Sequence, residues 1–203
     1  MNKTMDDEQR ARGMYGLNFI SLEDATKALY GRNFKEVELG NLSAFTRSES
    51  SLQSHAEEGF LLVTVASLIS VKKLCSLVPG KISFSLNERE KYRLLGEMIR
   101  PGRFLIKREP RILSAGSQMM RQLGMRVEEH PKLVQLIYVY VVSELLGRKL
   151  ITEDSLRVVC REEVNGRNGK TPICFQKDSK GYVEITPWPN EIPSFRIMAV
   201  KGV

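Results

Sequence analysis

Gly166-Arg167-Asn168-Gly169-Lys170-Thr171 ends in the Gly-Lys-Thr triplet that closes phosphate-cradling loops. In such a loop the glycines let backbone amides surround phosphates, and the lysine reaches the terminal ones. Here the first required glycine falls on Val164, and Pro172 blocks the helix that should follow. A hairpin turn accounts for the same residues, because Asn-Gly supplies positive φ cheaply. Nucleophilic catalysis has only His55 and His130 as imidazole bases, and nothing in the spacing ties either to a serine or cysteine. Both read as surface or capping residues. The acidic pairs Glu57-Glu58, Glu128-Glu129 and Glu162-Glu163 are adjacent. On a helix such neighbours point about 100° apart, so they do not form one acid/base couple. Cys75, Cys160 and Cys174 stand alone, without a CxxC pair, which removes zinc-site and thioredoxin-type readings and fits a reducing compartment. No catalytic residue, metal or cofactor is expected, and the chain is not expected to be an enzyme.

The remaining chemistry is charge. Residues 87–126 carry ten Lys or Arg against four Glu, and residues 61–86 add three Lys and no acid. Residues 1–60 oppose this with seven basic against ten acidic residues, within a total of +7. A positive field this concentrated suits a polyanion. The candidate anion-binding residues are Arg89, Arg93, Arg100, Arg103, Lys107, Arg108, Arg111, Arg121 and Arg126. Arginine outnumbers lysine in the segment, and its planar fork suits bidentate phosphate contacts. Several of these arginines flank Pro101-Gly102 or Pro110, where turns hold side chains outward. Aromatic residues for base stacking are few, Tyr92 and Phe104 alone.

These features point to a non-enzymatic protein that binds nucleic acid, RNA before DNA, mainly through the phosphate backbone. A structural or regulatory role is expected, of the kind filled by small viral RNA-binding, matrix or accessory proteins. The alternative is a peripheral scaffold on anionic lipid, for which 88–99, with Leu94, Leu95, Met98 and Ile99 beside Arg89 and Arg93, is the candidate amphipathic helix. The third is an adaptor for an acidic protein. Met1–Met14 lacks the apolar stretch of a secretory signal, and no apolar run reaches the ~20 residues of a spanning helix. A cytoplasmic location is expected, or a virion or host nucleus.

The elements that position these residues follow from pattern. Residues 1–14 are polar and read as a flexible tail, ahead of one globular domain over 15–203. Leu17–Ile20 predicts a short strand. Ser21 with Asp24 predicts a capped helix to Tyr30, stopped by Gly31. The serine-rich 41–55 reads as a solvated loop. Phe60–Val71 predicts a helix on length, flanking charge and Pro79-Gly80. Lys81–Leu86 alternates as a strand, and Asn87 with Glu90 opens a helix to about Ile99. Phe104–Ile106 and Ile112-Leu113 read as extended, and a short helix carries Met119, Met120 and Leu123. The helix 131–146 is apolar all round, so it is buried centrally or used for homo-oligomerisation. Beyond it, Leu156–Cys160, Thr171–Lys177, Tyr182–Thr186 and Ser194–Val200 predict strands. The fold class is α+β, mainly helical through 15–147 around that central helix, then an antiparallel β-meander over 150–203. A turn centred on Arg167 would set Cys160 opposite Cys174, close enough to crosslink on mild oxidation.

Overall fold

Six helices and twelve strands occur among the residues that the computed structural model describes: 3–31, 42, 45–108, 111–114, 130–150, 156–166, 169–188, 194–197 and 200–202. In order they are α1 (Lys3–Tyr15), β1 (Phe19–Ile20), α2 (Leu22–Tyr30), α3 (Glu49–Glu57), β2 (Phe60–Val65), β3 (Ile69–Ser70), α4 (Val71–Leu77), β4 (Ile82–Phe84) and α5 (Glu88–Leu95). There follow β5 (Met98–Ile99), β6 (Gly102–Lys107), β7 (Arg111–Ser114), α6 (Leu133–Leu146), β8 (Leu156–Gly166), β9 (Gly169–Lys177), β10 (Val183–Pro187), β11 (Ser194–Ile197) and β12 (Val200–Gly202). The chain is mixed α+β. The expected Met119–Leu123 helix lies outside the described residues.

Capping chemistry sets the clearest boundaries. The Ser21 hydroxyl accepts from the Asp24 amide at 3.1 Å, and Asp24 Oδ2 accepts the Ser21 amide at 3.2 Å, closing a capping box. Gly31 and Gly147 end α2 and α6, both at φ +63°, where a Cβ would be strained. Asn87 caps α5 through the Glu90 amide at 3.0 Å. That helix ends at Leu95, not at Ile99, and Met98–Ile99 pair antiparallel with Ile69–Ser70.

Three expectations are overturned. Residues 3–14, expected within a flexible tail, belong to α1 (Lys3–Tyr15). Its buried stripe is narrow, Asp7, Ala11 and Tyr15 at four-residue spacing, which is why composition hid it. The Tyr15 hydroxyl donates to the Leu52 carbonyl at 2.8 Å, and burial pushes its pKa up to about 12. The serine-rich loop contains α3, capped by Ser48 and buried through Leu52 and His55. Phe60–Val71 holds β2, β3 and the start of α4 in place of one helix. All six residues of β2 are buried, so the strand shows no alternation.

Two larger sheets organise the molecule. The four-stranded sheet runs β1-β2-β6-β12, and the six-stranded sheet runs β4-β10-β9-β8-β11-β7. The expected C-terminal meander exists as β8-β9-β10. Strands from the supposedly helical part, β4 and β7, complete its sheet, and β12 crosses to the other one. One face of the four-stranded sheet meets α1 and α3 through Phe60, Leu62 and Leu105; the other joins α6 through Leu61, Val63, Phe104 and Ile106. Helix α6 also packs on α2, α4, β8 and β9. Tyr138 and Tyr140 leave it in roughly opposite directions. The first donates to the Thr64 carbonyl of β2 at 2.9 Å, the second to the Gly181 carbonyl beside β10 at 2.6 Å. This chain therefore buries most of its own central helix, with Leu145 left exposed near its end.

The β8–β9 hairpin closes with Gly166 opposite Gly169; Arg167 and Asn168 lie outside the described residues. Its register breaks between Val159 and Glu163, so Val159 stands opposite Cys174. Cys160 and Cys174 are therefore not a cross-strand pair. The turn is centred between residues 167 and 168, not on Arg167, which already moves the register by one, and the irregularity in β8 then shifts it back by two. Both thiols are fully buried and free, and burial pushes Cys174 up to about 11.

Candidate functional site

The structure divides the predicted basic residues into groups with different surroundings. Arg103, Lys107 and Arg108 lie on or just after β6, against the α1 face of its sheet. Arg103 is only 2% exposed in its side chain, pairs with Glu8 at 2.8 Å, and lies over the Phe45 ring at 4.5 Å. Lys107 donates to the Glu58 carbonyl and sits over Phe60 at 5.0 Å. Arg108 donates to Asn18 Oδ1 at 3.1 Å. These three fasten the N-terminal elements to the sheet, and Arg103 is removed from any surface site. Part of the acidic–basic asymmetry read from the sequence is thus internal pairing, through Arg103 and Glu8; Arg148, beyond the basic segment, also pairs with Asp24 at 3.0 Å. Arg111 belongs to β7 by its backbone, while its side chain, Arg121 and Arg126 lie outside the described residues.

The other group surrounds α5. Glu90 and Leu94 turn inward, while Arg89, Tyr92, Arg93 and Gly96 form an outward stripe at helical spacing. Arg100 is exposed just after β5. The Val71 amide donates to the Glu97 carbonyl at 2.9 Å, so the exposed Lys72 and Lys73 emerge beside this group. Sequence pattern does not single these two lysines out, because it predicts their segment as the end of one long helix. Arg89, Arg100, Lys72 and Lys73 form no ion pair among the described residues. Glu88, also outward, is held by Lys91 at 3.4 Å. Of the residues expected to face a bilayer, Leu94 and Ile99 are buried in the core, Leu95 is half-buried and Met98 is exposed.

Arg93 joins this face to a network beneath it. Its guanidinium holds Glu90 at 2.8 Å, Glu97 at 3.5 Å and the Glu163 carbonyl at 2.9 Å, and Asn165 donates to Glu90 at 3.1 Å. The Arg93 hydrogen bond holds the Glu90 carboxyl below the usual range. Glu97 behaves oppositely. Burial, then the neighbouring charge of Glu162, raise it to about 7, against the attraction of Arg93 and Lys132. Burial raises Glu162 too, but the Leu133 amide at the start of α6 donates to it at 2.7 Å. The shared proton therefore sits on Glu97, which donates to Glu162. Buried Cys160 is pushed well above its usual value by burial and then by Glu162. Glu97 follows α5 and Glu162 lies in β8, so their pairing carries no signal in the spacing of adjacent carboxylates.

This pair makes stability depend on pH with a definite sign. A carboxyl raised from the usual 4.5 to about 7 keeps its proton in the folded state where the unfolded chain has lost it. Its contribution is full below about pH 4.5 and is lost as pH rises through about 7. Wild type should lose stability from this source between about pH 5 and pH 8, on the order of 1–3 kcal/mol. Glu97→Gln, which keeps a donor and cannot ionise, should flatten that slope and melt higher than wild type at about pH 8. Parallel slopes in thermal melts across this range would show that the two carboxyls do not share a proton.

His55, expected at the surface, is buried and meets the Phe60 ring edge-on at 5.3 Å; His130 is buried as well. Among the described residues, no group of three or more His, Cys, Asp and Glu could hold a metal ion, and no helix is long and apolar enough to cross a membrane. Compared with known proteins, the chain matches no family model, no curated protein and no solved structure.

Proposed function

We propose that this chain is a non-enzymatic protein that binds nucleic acid, RNA before DNA, through the face formed by α5, Arg100 and the start of α4. The observation that carries this reading is that Arg89, Arg100, Lys72 and Lys73 are all exposed and none is spent on an acid among the described residues, on elements joined by the hydrogen bond from the Val71 amide to the Glu97 carbonyl. Arg93 borders them with its charge partly used below. Such a cluster contacts phosphates with little regard to base sequence, in keeping with a structural or regulatory role. Anionic lipid and an acidic protein offer the same charge, but burial of Leu94 and Ile99 leaves Met98 as the exposed apolar residue of the four that the lipid reading calls on.

Salt titration tests it. With four or five phosphates neutralised, log K against log salt should have a slope between about −3 and −5. Changing Arg89, Arg100, Lys72 and Lys73 together to Ala should bring the slope close to zero while leaving the melting temperature unaltered. An unchanged slope in that variant would place the binding elsewhere. Pelleting with anionic vesicles, without affinity for RNA, would replace this reading by the lipid one.

A further inference from the structure

We infer that this face takes single-stranded nucleic acid, with one base stacked on the Tyr92 ring and the neighbouring phosphates on Arg89, Arg93 and Arg100. The inference rests on the nucleic-acid reading above and narrows it to one class of strand. Tyr92 is 67% exposed, more than the other exposed tyrosines, Tyr30 and Tyr182. Those two are engaged: the Tyr30 hydroxyl with Ser67, the Tyr182 ring under the Lys81 ammonium at 5.0 Å. The Tyr92 ring has no such partner among the described residues, and its position on the outward stripe means that packing does not require it.

The surroundings of the ring favour a planar, electron-rich ligand with negative charge beside it. Arg89 lies one helical turn before Tyr92, and Arg93 follows it. One turn after Tyr92 stands Gly96. A Cβ there would meet only the Arg93 and Tyr92 carbonyls, at 3.4 and 3.6 Å, and φ is −79°, so neither space nor backbone demands glycine. A helical side chain leans over the preceding turn, so any residue larger than alanine at 96 would extend toward the ring. Glycine leaves that side clear. A duplex keeps its base faces stacked inside the helix, whereas a single strand can lay one on an aromatic ring. The cations alone would serve either form; the exposed ring distinguishes them.

The test is fluorescence anisotropy at fixed low salt, with labelled oligo(U) of about 12 nucleotides and an RNA duplex of the same length. Tyr92→Ala should weaken oligo(U) binding by roughly 5- to 100-fold and duplex binding by less than about twofold. Its melting temperature should match wild type, since the ring is exposed. Gly96→Leu, which crowds the ring without touching a charge, should reproduce the oligo(U) loss. Tyr92→Trp should keep affinity, and its emission should be quenched by the strand, a signal that buried Trp188 does not give. If Tyr92→Ala binds oligo(U) as tightly as wild type while Arg89→Ala/Arg100→Ala does not, stacking is wrong and backbone binding stands. If wild type binds neither oligo(U) nor duplex, both readings fall together.

Discussion

Ile137→Asp is expected to leave no soluble, cooperatively melting protein. Ile137 is fully buried near the middle of α6, and that helix has no solvent side over most of its length. Core residues from both large sheets and from α2 and α4 belong to the same apolar cluster. An aspartate there has no cation in reach, and an unpaired buried charge costs about 3–5 kcal/mol even after relaxation. That is a large share of the 5–15 kcal/mol that holds a typical domain. Ile137→Val, which removes one methyl group, should cost only about 0.5–1.5 kcal/mol and melt cooperatively. The comparison is made by soluble yield and thermal denaturation followed by circular dichroism. A soluble Asp variant with an ordinary melt would mean that water reaches this helix.

Glu8→Ala should destabilise the protein by about 3–5 kcal/mol, far more than loss of a surface ion pair. Its carboxylate accepts Arg103 at 2.8 Å and the Leu22 amide, at the start of α2, at 3.1 Å. Removing it takes from the Arg103 guanidinium, whose side chain is 2% exposed, its carboxylate partner at 2.8 Å, and leaves an amide that begins a helix without this acceptor. Replacing both residues by Met should cost less than Glu8→Ala alone, because no charge is then left buried. Urea melts of the three proteins decide it. A loss below about 1 kcal/mol for Glu8→Ala would mark the pair as solvated.

Where a signal was local and chemical, it could be read directly. Ser21, Asp24 and Gly31 delimit α2, Asn87 opens α5, and Asn168-Gly169 marks the hairpin. Signals that depend on what lies opposite could not be read. The residues of β2 are apolar on both faces because α1 and α3 cover one and α6 the other, so its periodicity vanished. Helix α1 was hidden because the buried side chains among its described residues are Asp7, Ala11 and Tyr15, of which one is charged. For the candidate site, sequence located the basic stretch and kept Tyr92 in view, but spacing cannot tell an arginine that meets solvent from one that meets Glu8. Arg89 and Arg103 look alike along the chain and are opposite in the fold. Glu97 and Glu162 escaped because they are far apart in the chain and meet only when the end of α5 lies against β8.

The order in which the strands are made bears on how this molecule is produced in a cell. In the six-stranded sheet β4 has one neighbour, β10, and the Ser83 hydroxyl meets the Val183 carbonyl 100 residues later in the chain. Strand β6 likewise waits for β12, with Phe104 opposite Gly202. At ribosomal rates of about 5–20 residues per second, β4 stands without its partner for roughly 5–20 seconds, and β6 keeps one open edge for as long. Pairing over such distances also slows folding, because loop closure must precede the contacts that reward it. During biosynthesis the nascent chain therefore presents unpaired strand backbone beside apolar residues such as Ile106, the kind of surface that chaperones shield and that aggregation exploits.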